Sequence, residues 1–276
     1  PMEKTGPKAM RRTPSEMTIL GVDVGTTGMK MGVFRAEGET VVLERQFTRI
    51  YAVNTYHDGL FSDIEPEKWQ RAFGEGCQEM GGLMEEIDVI SFSGTTPGFT
   101  AMDGDGDPVY PAILMLDQRS RLQAQRIIQK VGIRKLLDET ANMPVAGGCS
   151  LASLLWIRDN EPEAYRKARI FGHSNTFMAK WLTGRAAIDP SSASLTALYN
   201  TARNDLTWNE DIAGTFDIPL EYLPEVMPSH GSPGRLKPEI ASFLGMRKRP
   251  PVVIGGNDAV LAAYCAGIRE AGDIMN

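Results

Sequence analysis

Asp23 is a carboxylate at the end of an apolar strand, directly ahead of a turn built from Gly25, Thr26, Thr27 and Gly28. Leu20, Val22 and Val24 recur at every second position and share one face, which puts Asp23 on the other. A carboxylate there can hold a hydrated Mg²⁺, and glycine amides with threonine hydroxyls can face phosphate oxygens. Lys30 follows closely. It either reaches a phosphate or is a solvated strand residue. A surface hairpin whose threonines cap a turn would use the same residues.

A second acid stands near the other end. Pro251 to Ile254 reads as a short apolar strand, Gly255-Gly256 as a sharp turn, and Asp258 as the opening of a helix. Leu261, Tyr264, Cys265 and Ile268 fall at helical spacing after it. A carboxylate at a helix N-terminus is favoured by the dipole and can be a simple N-cap. The paired glycines ahead of it, followed by Asn257, suit a close approach of another group to the backbone.

The elements that must position these acids are α/β in character. Strands are expected over Thr18–Asp23, Met29–Phe34, Val41–Thr48 and Asp88–Ser93, and a loop over Arg49–Glu65. Trp69, Phe73, Cys77, Met80 and Met84 mark one face of a helix from Pro66 to Met84. Phe99–Met102 and Pro108–Tyr110 form a hairpin around the acidic turn Asp103-Gly104-Asp105-Gly106-Asp107. That turn lacks the distal ligands of a calcium loop and reads as solvated. Gln118–Val131, with Leu122, Ile127, Ile128 and Val131 inward, Leu151–Arg158 and Ser174–Leu182 are helical. A proline-rich, irregular stretch after Asn200 leads to Pro250.

The chain of 276 residues carries a net charge of −6, which argues against a general nucleic-acid binder. No apolar run is long enough for a membrane helix, and Pro1 to Glu16 lacks the apolar run of a secretory signal. Cys77, Cys149 and Cys265 have no metal-like spacing; Cys77 and Cys265 fall on apolar helix faces and are expected buried. So sparse and odd a count fits a reducing cytoplasm.

Taken in order, these motifs resemble the FGGY carbohydrate kinases. The residues that carry the resemblance are Gly21-Val22-Asp23-Val24-Gly25-Thr26-Thr27, Ser93-Gly94, and Pro111-Ala112-Ile113-Leu114-Met115-Leu116-Asp117-Gln118-Arg119. Leu154-Leu155-Trp156, Leu182-Thr183-Gly184 and Gly255-Gly256-Asn257-Asp258 follow. The resemblance implies an actin/Hsp70/hexokinase-type fold, a ribonuclease-H-like domain with a mixed sheet flanked by helices. It implies ATP and Mg²⁺ as cofactors and a small sugar or polyol as substrate. Asp258 would be the catalytic base and Asp23 the metal-organising acid. Gly25, Thr26, Thr27 and Lys30 would face the phosphates. Ser93, Gly94, Thr95, Thr96, Asp117, Asn257 and Asp258 would face the substrate.

Against xylulokinases and glycerol kinases the segment Thr95-Thr96-Pro97 departs from both patterns. Met115 stands where a tryptophan is usual and Ser153 where a lysine is common, while Leu154-Leu155-Trp156 with Glu161-Pro162 looks nearer the xylulokinase side. Asp117 and Arg119 are expected to pair and shape the pocket wall, and His57 and His173 to be structural or surface residues. By the same resemblance, residues 1–16 are a flexible tail, 17–250 the first domain and 251–276 the start of a second whose adenosine half lies beyond this chain. Residues 1–276 alone would then be inactive, and the uncovered face around Leu261, Tyr264, Cys265 and Ile268 would allow a homodimer. A sugar-binding or regulatory member of the same fold is the alternative to a kinase.

Overall fold

The computed structural model describes residues 16–268 and 270. Residues 1–15 of the expected tail, residue 269 and residues 271–276 lie outside that range, and Glu16, the last residue of the expected tail, begins the first strand. β1 (Glu16–Val24), β2 (Gly28–Glu37) and β3 (Thr40–Ile50) form an antiparallel meander. β4 (Asn54–Tyr56) and β5 (Phe61–Ile64) then pair as a hairpin inside the stretch expected to be a loop. These strands are too short for periodicity to show. Tyr56 accepts from Arg119, Phe61 packs edge-on to Trp156 and Ile64 pairs with Ala112, all long-range partners rather than a local pattern.

α1 (Glu67–Met80) is followed by a 3₁₀ stretch, Gly81–Glu86, which still buries Met84. β6 (Val89–Gly94), β7 (Phe99–Met102) and β8 (Pro108–Ile113) come next. The helices α2 (Arg121–Val131), α3 (Ile133–Thr140), α4 (Ser150–Asn160) and α5 (Pro162–Lys167) lead to β9 (Ile170–Gly172). α6 (Ser174–Thr183), β10 (Ala187–Ile188), α7 (Pro190–Ala193) and α8 (Glu210–Thr215) follow, then β11 (Glu225–Val226), β12 (Gly234–Arg235) and α9 (Pro238–Phe243). β13 (Pro251–Asn257) and α10 (Asp258–Cys265) close the described chain. Leu122 points outward, against expectation, because α2 turns Gln123, Ala124 and Ile127 toward α4 instead.

The main sheet has the order β12-β13-β6-β1-β2-β3, and β1, β6 and β13 run parallel. Alternation along these strands buries Leu20, Val22, Val24, Met29, Met31, Ile90, Phe92 and Val252 in one core with Trp69, Phe73, Cys77 and Met80 of α1. A second sheet, β4-β5-β8-β7-β9, contributes to a separate core with α2 and α4. The strand Pro251–Asn257 pairs with β6 inside the main sheet.

Gly255-Gly256 is also not a turn. Both residues lie within β13, where the register with β6 slips between Val253 and Gly256. Gly255 has φ +69°, and a Cβ there would sit 1.6 Å from the Phe92 carbonyl oxygen. Only glycine allows this bulge to lie against β6. The bulge aims the end of β13, and so the start of α10.

Candidate active site

Three adjacent parallel strands end together. Val24 of β1 and Asn257 of β13 both lie level with Gly94 of β6. The crevice at the carboxyl ends of parallel strands is where α/β sheets bind ligands. Gly94 allows that junction to be tight, since a Cβ on it would sit 3.0 Å from the Ser174 hydroxyl.

At this edge the expected residues gather around Asp23 and Asp258. Ser93 lies opposite Asp23 in register, and its hydroxyl donates to Asp23 Oδ1 at 3.0 Å. The turn after Asp23 is closed by the Gly25 amide donating to the Gly28 carbonyl at 3.0 Å, and a Cβ on Gly25 would sit 2.8 Å from that oxygen. Tyr51 braces it from outside, donating its hydroxyl to the Gly25 carbonyl at 2.6 Å. Burial, then the Asp23 charge, push the Tyr51 phenol well above its ordinary pKa, so it stays a donor. Thr26 and Thr27 are exposed on the turn. The Thr26 and Thr95 hydroxyls lie 2.8 Å apart. Lys30 pairs with Asp23 in register and is exposed beside it.

Asp258 is the first residue of α10, and the N-cap is Asn257, not Asp258. Asn257 Oδ1 accepts from the Val260 amide at 2.9 Å. That leaves the Asp258 carboxylate for other partners. Its Oδ1 accepts from the Thr96 hydroxyl at 2.9 Å and from the Ala259 amide at 2.8 Å. Asn257 is itself pinned: its amide donates to the Ser191 hydroxyl at 3.0 Å and its side chain to the Ser191 carbonyl at 3.2 Å. Ser191 in turn bonds Asp189, the buried N-cap of α7, which also accepts from Asn175 at 3.1 Å. The Asp189, Ser191 and Asn175 brace gave no sign in the sequence beyond an Asp-Pro-Ser-Ser helix start.

Asp117 is placed elsewhere. It is fully buried, with Oδ2 accepting from the Ser62 amide at 2.7 Å and from Arg119 Nε at 2.8 Å. Arg119 also donates to Asp63 at 2.7 Å and lies among the Tyr56, Phe61, Tyr110 and Trp156 rings. Burial alone would push the guanidinium pKa down. The hydrogen bonds that Arg119 donates to Asp117 and Asp63 outweigh it and hold the charge. The carboxylate expected to face substrate is thus spent on the second sheet's core.

Other expectations resolve simply. His173 is buried and paired with the Ser150 hydroxyl at 2.7 Å. The acidic turn closes on itself, Asp103 Oδ1 accepting three amides at 3.0 Å. Cys77 and Cys149 are buried, but Cys265 is exposed, because α10 buries none of its residues among those described. Tyr264 is exposed with it. No helix of the described residues is long and apolar enough to cross a membrane.

A Mg²⁺ ion fits Asp23 as a hydrated ion held from one carboxylate. Oδ1 is steadied by Ser93, and the turn beside it leaves no room for a Cβ at Gly25. Among the described residues no group of three His, Cys, Asp or Glu side chains forms a dry metal site.

Known proteins resemble this chain in sequence and in fold. The xylulose kinase of Lactococcus lactis is 30% identical over 254 residues, covering 91% of this chain and 49% of that protein. The xylulose kinase of Bacillus subtilis is 29% identical over 261 residues, covering 93% and 51%. In structure, a xylulose kinase from Rhodospirillum rubrum superposes with a TM-score of 0.84 at 23% identity, over 93% of this chain and 52% of the other. A Plasmodium falciparum glycerol kinase gives 0.77 at 20%, over 90% and 50%. The chain spans about half the length of these relatives. The structural likeness shows the fold, the mixed sheet flanked by helices of the actin/hexokinase type. Residues 18–265 match the N-terminal domain of the FGGY family of carbohydrate kinases, and the chain belongs to that family.

Proposed function

We propose that this chain supplies the acceptor and phosphate-turn side of an ATP-dependent carbohydrate kinase. The γ-phosphoryl group passes to a hydroxyl of a sugar or polyol, with a xylulose-like ketose favoured. The observation that carries this reading is the meeting of Asp23 and Asp258 at one sheet edge, through Ser93 on one side and Thr96 on the other. A pure sugar binder has no use for both acids. The ketose preference is supported by relatives named xylulose kinase.

In this reading Asp258 takes the proton of the acceptor hydroxyl. Thr26 and Thr27, with the Gly25 turn and Lys30, orient the terminal phosphates, and Ser93 holds Asp23 in place. Bound Mg²⁺ would neutralise charge on the phosphate oxygens. Ser93, Gly94, Thr95 and Thr96 line the wall where the sugar lies. We place the domain boundary after Asn257, at the start of α10. The unpaired cysteines support the cytoplasm as the compartment, and the exposed apolar side chains of α10 suit pairing of two copies.

The test is phosphoryl transfer by the full-length protein to a panel of pentuloses, hexuloses and polyols. A ketose should be phosphorylated with turnover in the range of about 1–100 per second. Asp23→Ala should raise the Mg²⁺ requirement. Tight sugar binding without turnover would establish the sugar-binding alternative instead.

A further inference from the structure

Thr95 and Thr96 are neighbours in the chain but serve different partners. The Thr95 amide donates to the Val24 carbonyl at 2.7 Å, and its hydroxyl meets that of Thr26 on the phosphate turn. Thr95 is thus fixed to the end of β1, and it is buried. Thr96 lies 2.9 Å from Asp258 Oδ1 and 3.4 Å from the Gly94 carbonyl. A hydroxyl has one proton to give. The shorter contact, to a charged acceptor, takes it.

The geometry at Asp258 makes that bond consequential. Among the described residues both hydrogen bonds to this carboxylate fall on Oδ1, from the Thr96 hydroxyl and the Ala259 amide. The Ala259 bond lies within one residue of Asp258 and follows the side chain wherever its own helix start allows. The Thr96 bond comes from across the sheet edge, 162 residues away in sequence, and sets the carboxylate against a fixed frame. Oδ2 is left as the oxygen that can meet a ligand.

We propose that Thr96 is a positioning residue for phosphoryl transfer. Its hydroxyl fixes the Asp258 carboxylate by Oδ1 so that Oδ2 faces the acceptor, and Thr95 ties that orientation to the phosphate turn through Thr26. The inference rests on the kinase reading above. In the step it serves, the acceptor O–H bond breaks and its proton goes to Asp258 Oδ2. The acceptor oxygen forms the new O–P bond. The bond from the γ-phosphorus to the bridging oxygen breaks, and the nucleoside diphosphate leaves with that electron pair. Thr96 itself gains and loses no proton.

The experiment compares Thr96→Val, which keeps the shape and removes the hydroxyl, with Thr96→Ser, which keeps the hydroxyl. In the full-length protein Thr96→Val should lower kcat about 10- to 100-fold, the scale of one hydrogen bond to a charged group. KM for sugar and nucleotide should move by less than roughly threefold, because the interaction is spent on alignment and not on binding. Thr96→Ser should recover most of kcat. In an Asp258→Asn background Thr96→Val should cost little more, since the two act as a unit. Wild-type kcat in Thr96→Val, equal losses in the Val and Ser variants, or a full additive loss in the Asn background would each overturn the proposal. A crystal structure of Thr96→Val decides it without turnover: a rotated Asp258 carboxylate supports positioning, and an unmoved one refutes it. Absence of sugar phosphorylation by the wild-type protein would defeat the kinase reading alone.

Discussion

The backbone amide of Asn257 donates to the hydroxyl of Ser191 at 3.0 Å, joining positions 66 residues apart. Asn257 caps the helix that begins with Asp258, so this one hydroxyl locates the start of α10. Ser191→Ala leaves a buried amide without its acceptor, at a cost of about 1–3 kcal/mol. We expect a lower melting temperature and a kcat reduced more than the sugar KM is raised. Ser191→Thr should retain much of both. Thermal melts and steady-state kinetics on the two variants check this.

Arg119 joins the buried Asp63 and Asp117 carboxylates beside the second sheet, the one guanidinium to do so among the described residues. Removing it strands two buried charges. Arg119→Leu should destabilise the chain by about 3–5 kcal/mol, as broken buried ion pairs do. Arg119→Lys keeps the charge but not the fork that reaches both acids, and should fall between. Urea unfolding of the three proteins orders them. Equal stability of the leucine variant would show that the cluster adds nothing.

His173 gives a pH signature. Burial lowers its pKa from 6.5 to about 3, so the folded chain holds it neutral. Between those values the unfolded state binds the extra proton. Folding stability from this group is therefore complete above about pH 6.5 and is lost as the pH falls toward 3. The slope from one such group is at most about 1.4 kcal/mol per pH unit. His173→Gln should flatten the acid side of the stability curve relative to wild type, measured by denaturant titration at several pH values. Parallel curves would mean that His173 is protonated in the fold.

Much of this arrangement was legible in the residues. The alternation of Leu20, Val22 and Val24 fixed both the first strand and the side on which Asp23 stands. The helix at Trp69 followed from its apolar spacing. What the sequence did not disclose depends on contacts made at long range. β4 and β5 are three and four residues long and exist through pairing with each other and with β8. Gly255-Gly256 looked like a turn because a bulge and a turn ask the same thing of a glycine; only the closeness of the Phe92 carbonyl tells them apart. Asp117 read as a pocket residue paired with Arg119, yet the Ser62 amide that donates to it and the Asp63 carboxylate that shares Arg119 lie more than fifty residues away and draw it inside. Cys265 and Tyr264 matched an apolar helix face, but the pattern cannot say whether a neighbour covers it.

The central claim is that Asp258, held by Thr96 and by its pinned helix start, takes the acceptor proton. Asp258→Asn keeps the size and the capacity to bond Thr96 while removing the base. In the full-length protein kcat for a phosphorylated ketose should fall about 10²–10⁴-fold, the usual scale for loss of a general base, with sugar affinity by calorimetry nearly unchanged. An Asn variant with near-normal kcat would contradict the account.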